Sequence, residues 1–563
     1  MASVHHIRKI IRLPSAFYVG RRARSLSQIE RPFSDQKNAP KHSYERYAAN
    51  GGTIEGVWVF HRHGDRAPST PLCFQEDIET ESNFWKAKLP PSALMDDLEA
   101  KFPLKLHKSW GNTHLDSPRY PWGALTMLGA MQMHHVGDKF YHRYTRYPFD
   151  SHLAPSSAST KKYLFPDAGR FADFLAQWDI ICYSTNYLRT VTSARAFLDG
   201  LLFGRSNPHF KEYGSWRRPS EFRHAARYPG RFTLGPQDFI TTPDIYEPSA
   251  SYVSTGLSSS TNVTCTTNFN IPINVRTKQS DPLNAFDRNF DLMMDLIKDV
   301  VSQKSFQEGD SSAVNLATKL INELPGLKNS VRFGGPSGIN WVHAADHFVC
   351  RSSHGMKLSG LEPLEDSNHS EYSQDPLQEL CGPTMKHLAW RFRQWYTSAP
   401  LLAEFAGPPL REVVRHAKLC LEASRNPSEP SLHLSEQRYE QEPHIPARNH
   451  RPFVVYSCHD VSILSLLYGI RAKLVVDDHY SRYWPPYAST LVFELLRISD
   501  SDEPYIRVLL NGKPVAIHGN PIGNIISFQD FGRAVEDMVG GRELTVHPHD
   551  PSVFVSSRHG GVL

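Results

Sequence analysis

Two histidines, two arginines and an aspartate crowd into His61–Arg62–His63–Gly64–Asp65–Arg66–Ala67–Pro68. A guanidinium is a fixed fork of donors that matches the oxygens of a phosphate-like dianion, and an imidazole beside it can act as nucleophile or base. Gly64 permits backbone angles closed to other residues, and Pro68 lacks an amide donor, so no regular element continues through this stretch. The apolar run before it, Gly56–Val57–Trp58–Val59–Phe60, fits a strand buried on both faces in a parallel sheet. Arg62, His63 and Arg66 then fall just past a strand end, where open α/β sheets place their ligands.

Two later segments repeat this layout. Ile180–Ile181–Cys182–Tyr183–Ser184 reads as a short apolar strand, and Arg189 follows it at the opening of a helix, whose first amides and dipole favour anions. Arg195 lies six residues on, about 1.7 turns away, and faces elsewhere. Phe453–Val454–Val455–Tyr456–Ser457 is a third buried strand, leading through Cys458 into His459–Asp460 and a helix to Leu467. Cys458 reads as a buried strand residue rather than a nucleophile.

The order Arg-His-Gly-x-Arg-x-Pro at 62–68 matches the signature of the histidine acid phosphatases, a branch of the phosphoglycerate-mutase-like superfamily. Average residue frequencies give five such fixed positions a chance probability on the order of 10⁻⁴ in a chain of this length. Leu125–Thr126–x–x–Gly129–x–x–Gln132 with Arg143–Tyr144, the Ser184–Thr185…Arg189–Thr190 segment, His459–Asp460, and the closing Tyr487–Ala488–Ser489, Phe493–Glu494–Leu495 and Asn511–Gly512 are similar to the same family. The Arg558–His559–Gly560 triplet has no strand before it and no Arg or Pro after it. His549–Asp550 is flanked by prolines. Both read as tail coincidences.

The resemblance implies an α/β fold: a three-layer α/β/α phosphoglycerate-mutase-like sheet domain with an inserted, mainly helical cap. Residues 1–50 would be an N-terminal presequence-like segment and linker. Residues 51–205 and 441–563 would be the two parts of the catalytic domain with its tail, and 206–440 the cap. It also implies that His63 is the nucleophile of a phosphohistidine intermediate and Asp460 the general acid and base. Arg62, Arg66, Arg189 and His459 would bind the phosphoryl oxygens. No metal or other cofactor is implied, because the arginines carry the positive charge. His61 is the rival nucleophile, but the family pattern places the nucleophile directly before glycine, which leaves His61 a structural role. The reaction expected is metal-independent hydrolysis of a small phosphomonoester: a lysophospholipid, an inositol phosphate or a sugar phosphate. A mutase of the same superfamily and a non-catalytic scaffold are the alternatives. Mutases generally carry a glutamate acid on another loop, and a scaffold would be expected to have lost one of His63, Arg66, Arg189 or Asp460.

The remaining sequence bounds the other classes. The 563 residues are 40% hydrophobic, 11% aromatic and 21% charged, ordinary for a globular protein, and suffice for one large domain or two moderate ones. A net charge of +4 gives no support for a nucleic-acid or membrane-surface partner, and no run of about 18 apolar residues suggests a spanning helix. The seven cysteines are scattered with no C-x-x-C pair, which disfavours zinc. His343 and His347 have the spacing of a metal pair on one helix, but no third ligand accompanies them, and they read as satisfied histidines. Helical patterning is expected over 124–145, 290–301, 312–324, 341–351, 383–399 and 410–423. Residues 1–29 lack Asp and Glu and carry Arg8, Lys9, Arg12, Arg21, Arg22 and Arg24. This composition resembles a mitochondrial presequence, against the alternative of a basic tail on a cytoplasmic or secretory protein. With the core it is similar to the mitochondrial lysophosphatidic acid phosphatases. Asn262 and Asn368 begin glycosylation triplets that matter only in a secreted protein.

Overall fold

The computed structural model describes residues 53–107, 115, 120–145, 166–204, 207–212, 271–329, 334–360, 376–425, 451–476, 483–498, 503–517, 520, 525–540 and 554–556. The presequence-like residues 1–29, the Asn262 and Asn368 triplets, and the His549–Asp550 and Arg558–His559–Gly560 segments lie outside the described residues.

The strands are β1 (Thr53–Arg62), β2 (Leu104–His107), β3 (Trp178–Ser184), β4 (Ile273–Val275), β5 (Arg451–Cys458), β6 (Thr490–Arg497), β7 (Pro504–Leu510), β8 (Lys513–Pro514), β9 (Ile525–Ser527) and β10 (Phe554–Ser556). They form one sheet in the order β10-β2-β4-β3-β5-β1-β6-β7-β8, with β9 beside β7. The block β2-β4-β3-β5-β1 is parallel, and the flanks are antiparallel. The apolar run of β1 suggested a parallel setting, yet β1 pairs parallel with β5 on one side and antiparallel with β6 on the other. Burial on both faces comes from helices lying over each face, and that burial does not encode strand direction.

The helices that matter here are α1 (Ile78–Lys86), α2 (Ser92–Lys101), α3 (Met127–Thr145), α4 (Leu188–Leu202), α5 (Phe290–Val301), α6 (Lys304–Ser311), α7 (Val314–Glu323), α8 (Trp341–Ser353), α9 (Pro376–Thr397), α10 (Ala399–Arg425), α11 (Asp460–Gly469) and α12 (Phe528–Val539). Alternate strand residues feed two cores. Val57, Val59, Phe453, Val455 and Val492 pack with α2, α3 and α4 through Leu98, Met131, Met133, Phe140 and Phe197. Trp58, Phe60, Val454, Tyr456 and Phe493 pack on the other face with α5 to α12 through Ile297, Phe348, Trp395, Phe405, Leu466 and Phe531. Each such fully buried side chain contributes about 1.5–3 kcal/mol, and the result is a three-layer α/β/α molecule.

The helix carrying Pro408 and Pro409 differs from expectation. A proline lacks an amide donor, so the sequence pattern started a helix at Leu410; α10 instead begins at Ala399 and runs through both prolines. Leu401, Leu402, Phe405 and Ala406 before them and Leu410, Val413 and Ala417 after them are buried in the same cluster, so packing overrides the local cost. Among the described residues no helix is long and apolar enough to cross a membrane.

Candidate active site

The parallel register brings three strand ends level. Arg62 pairs with Cys458, and Ser184 and His61 both align with Ser457. The pairing runs on for one residue beyond the strands: His63 N donates to the Cys458 carbonyl at 3.0 Å and Thr185 N to the Ser457 carbonyl at 3.1 Å. The loop after β1, the segment opening α4 and the His459–Asp460 turn opening α11 therefore converge at one edge.

The loop is held in place by α3 and the residues before it. A Cβ on Gly64 would lie 2.2 Å from the Gly129 carbonyl oxygen, and one on Gly129 would lie 2.0 Å from that of Asp65. Two bare backbones meet there, and no side chain fits. Thr126 Oγ1 donates to the Asp65 carboxylate at 2.5 Å, Asp65 N donates to Gln132 Oε1 at 2.9 Å, and Gly64 N donates to Ser193 Oγ at 3.1 Å. The Leu-Thr-x-x-Gly-x-x-Gln pattern is thus the grip on the loop.

His63 is 2% exposed, and its Nδ1 lies 2.8 Å from the Gly64 carbonyl oxygen. A carbonyl can only accept, so Nδ1 carries the proton and the Nε2 lone pair is left for other chemistry. The His459 ring stands edge-on at 5.6 Å and the Tyr487 ring lies at 5.8 Å. Burial, then the charges of Arg189, Arg62 and Arg66, hold His63 well below the usual imidazole range, so it is a neutral base. His459 is pushed down by burial and the same arginines, and its Nε2 is 3.1 Å from Thr185 Oγ1.

Arg62 Nη1 donates to the Pro485 carbonyl at 2.7 Å, Nη2 meets Asp460 Oδ2 at 2.9 Å, and the guanidinium lies 4.2 Å from the Tyr487 ring centre. Arg66 is paired through both terminal nitrogens with Asp346, at 2.7 and 2.9 Å. Burial alone would weaken its proton affinity, but Asp346 outweighs that and lifts Arg66 above its ordinary value. Arg189 stacks over Tyr187 at 4.4 Å, and burial together with the nearby Arg66 lowers it to about 10. The Nε of Arg62, of Arg66 and of Arg189 is in each case buried without a hydrogen-bond partner. Such groups are costly unless a ligand satisfies them. Asp460 receives hydrogen bonds from Trp484 Nε1 at 3.1 Å and from Val461 N at 2.8 Å.

The structure brings His63, Asp460, Arg62, Arg66, Arg189 and His459 together. His61 is placed apart: it stacks on Phe197 at 5.3 Å, its Nδ1 donates to the Arg62 carbonyl at 3.2 Å, and burial pushes it down to about 4. Arg195 points to the Phe102 carbonyl and Glu99. His347 Nε2 donates to the Leu358 carbonyl at 2.8 Å, and burial pushes the Cys458 thiol up.

Several contacts here were not anticipated from the sequence. Asp346 reaches Arg66 and also accepts from Ser69 N at 2.7 Å. From the end of the same helix, His354 Nε2 lies 2.6 Å from Asp65, and Ser353 Oγ also donates to Asp65. The sequence carries only a partial signal: Asp346, Cys350 and Ser353 recur at helical spacing and so share one face of α8, but nothing in that spacing names their partners.

The histidine phosphatase superfamily (branch 2) is matched over residues 53–221 and 353–511. The chain belongs to this family and is a phosphoric monoester hydrolase of the histidine acid phosphatase type. No curated protein sequence matches it. Similar solved structures include the apo phytase of Hafnia alvei, with 12% identity over 87% of this chain and 97% of that one at a TM-score of 0.40. The phytase of Klebsiella sp. ASR1 has 13% identity over 89% and 98%, with a TM-score of 0.41. A Bifidobacterium longum multiple inositol polyphosphate phosphatase, in complex with inositol hexasulfate, has 12% identity over 89% and 94%, with a TM-score of 0.37.

Proposed function

We propose that the protein hydrolyses phosphomonoesters without a metal, through a phosphohistidine on Nε2 of His63. The observation that carries this reading is the set of three buried, unpartnered guanidinium Nε groups around a histidine kept neutral by its burial and by the same guanidiniums. A phosphoryl group bound there would satisfy the orphaned donors and present phosphorus to the free lone pair. Arg62, Arg66 and Arg189, with His459, would stabilise the charge on the equatorial oxygens as the P–N bond forms and the P–O bond breaks. Asp460 would give its proton to the leaving alkoxide and then take one from the water that cleaves the phosphohistidine. A bound dianion would compete with Asp460 for Arg62 and so free the carboxyl group to face the leaving oxygen. The positive charge needed in the transition state comes from the arginines.

The candidate substrates are lysophospholipids, inositol phosphates and sugar phosphates, and the Arg-rich, acid-free composition of residues 1–29 supports a mitochondrial location over a cytoplasmic or secretory one. The test is hydrolysis of p-nitrophenyl phosphate in EDTA by the wild type and by His63→Ala. Turnover by the wild type and none by the variant is expected. Normal hydrolysis by His63→Ala would sink the assignment. A panel of lysophosphatidate, phytate, phosphotyrosine and sugar phosphates then ranks the substrates.

A further inference from the structure

Arg66 has five N–H hydrogens, and most of them are already committed. Nη1 gives one to the Ala67 carbonyl at 2.9 Å and one to Asp346 Oδ2 at 2.9 Å, and Nη2 gives one to Asp346 Oδ1 at 2.7 Å. Asp346 is itself fixed. It is 7% exposed, it accepts from Ser69 N at 2.7 Å on the loop it serves, and Cys350 one turn on lies 3.6 Å away and reaches Tyr487 at 3.2 Å. The helix that carries Asp346 starts on a real cap, Asn340, whose side chain accepts from Val342 N and His343 N. Asp346 lies in 222–352, the stretch between the two segments matched to the family.

We propose that Asp346 is a positioning residue: by holding the end fork of Arg66, it leaves that guanidinium's Nε–H and one Nη2–H as the pair offered to the phosphoryl group. A side-on fork of this kind has one orientation, whereas an untethered arginine could meet a dianion through either edge. The carboxylate also sets the charge of the pocket. Arg62, Arg66 and Arg189 face Asp346 and Asp460, so the pocket holds product phosphate less tightly than the arginines alone would.

This inference rests on the phosphatase reading above, and the experiment separates the two. With p-nitrophenyl phosphate as substrate, Asp346→Asn should lower kcat at least tenfold. The inhibition constant of inorganic phosphate should stay within threefold or tighten, because geometry is lost while a negative charge leaves the pocket. A parallel loss of kcat and of phosphate affinity would mark a structural role and overturn the proposal. If Asp346→Asn does not fold, the pair Arg66→Gln with Asp346→Asn leaves no charge buried and unpaired at this contact. That double variant should match Arg66→Gln within threefold, as expected when one residue acts through the other. A double variant tenfold or more below Arg66→Gln would show that Asp346 acts separately, which overturns this proposal and leaves the phosphatase reading intact. Wild-type activity in Arg66→Gln would remove Arg66 from phosphate binding and overturn this proposal alone, whereas absence of turnover by the wild type would overturn the phosphatase reading.

Discussion

The carboxylate of Asp460 and the guanidinium of Arg62 meet at 2.9 Å across the ends of β5 and β1, with Trp484 bound to the same carboxylate oxygen at 3.1 Å. The parallel register that aligns Arg62 with Cys458 fixes this meeting. It holds the acid–base candidate beside a guanidinium that is itself a candidate to bind phosphate.

The first expectation concerns the leaving group. Asp460→Asn cannot donate a proton, so turnover of an alkyl phosphomonoester should fall about 10²–10⁴-fold. Turnover of p-nitrophenyl phosphate, whose leaving group needs little protonation, should fall far less in phosphorylation of the enzyme. Single-turnover rates with both substrates check this. Equal losses would remove Asp460 from the role of acid.

The tautomer of His63 gives the second. With Nδ1–H tied to the Gly64 carbonyl at 2.8 Å, the trapped phosphoenzyme should carry phosphorus on Nε2. Rapid quenching into alkali, followed by phosphorus NMR or mass spectrometry of the His63 peptide, reads the isomer directly. Phosphate on Nδ1 would contradict the geometry.

The third lies in the backbone contact between the loop and α3. Gly64→Ala and Gly129→Ala each place a methyl within about 2.2 Å of a carbonyl oxygen. Each should cost at least the ~1–3 kcal/mol typical of overpacking and displace the loop that holds His63. Denaturant unfolding and p-nitrophenyl phosphate turnover measure the two effects, and both variants should lose activity more steeply than stability.

The fourth is a dependence of stability on pH. Burial pushes His61 and His416 down to about 4 and His347 to about 3, from an ordinary 6.5. The unfolded chain takes up these protons near pH 6.5 while the folded one does not. Their contribution is therefore complete above pH 6.5 and is lost as pH falls toward 4, on the order of 3 kcal/mol for each histidine. Glu412, held down to about 2 by Arg276 although burial pushes the other way, loses its contribution lower, between 4.5 and 2. Replacing His61 with Gln should reduce the slope of unfolding free energy between pH 6.5 and 4 by up to about 1.4 kcal/mol per pH unit. An unchanged slope would mean that His61 is protonated in the fold.

The sequence showed the strand ends clearly because each pairs an unbroken apolar run with polar residues at a helix start, as in Phe453–Ser457 before His459–Asp460. The helices over 290–301 and 341–351 were legible from apolar spacing, and α5 and α8 match them closely. The antiparallel neighbour of β1 was not, since burial pattern carries no direction. Nor was Asp346. It lies 280 residues from Arg66, and no local rule joins a carboxylate inside one helix to a guanidinium on a distant loop. On the same helix His343 and His347 carry the spacing of a metal pair, while Asp346, just before His347, makes the contact.

The grip on the loop from two sides also bears on protein engineering. Residues 64–66 are held by Thr126, Gly129, Gln132 and Ser193 on one side and by Asp346, Ser353 and His354 on the other. A chimera that exchanged residues 341–354 for a helical segment lacking Asp346, Ser353 and His354 would strip Arg66 of its counter-charge and Asp65 of two partners. Such transplants need the loop and the helix to be exchanged as one unit.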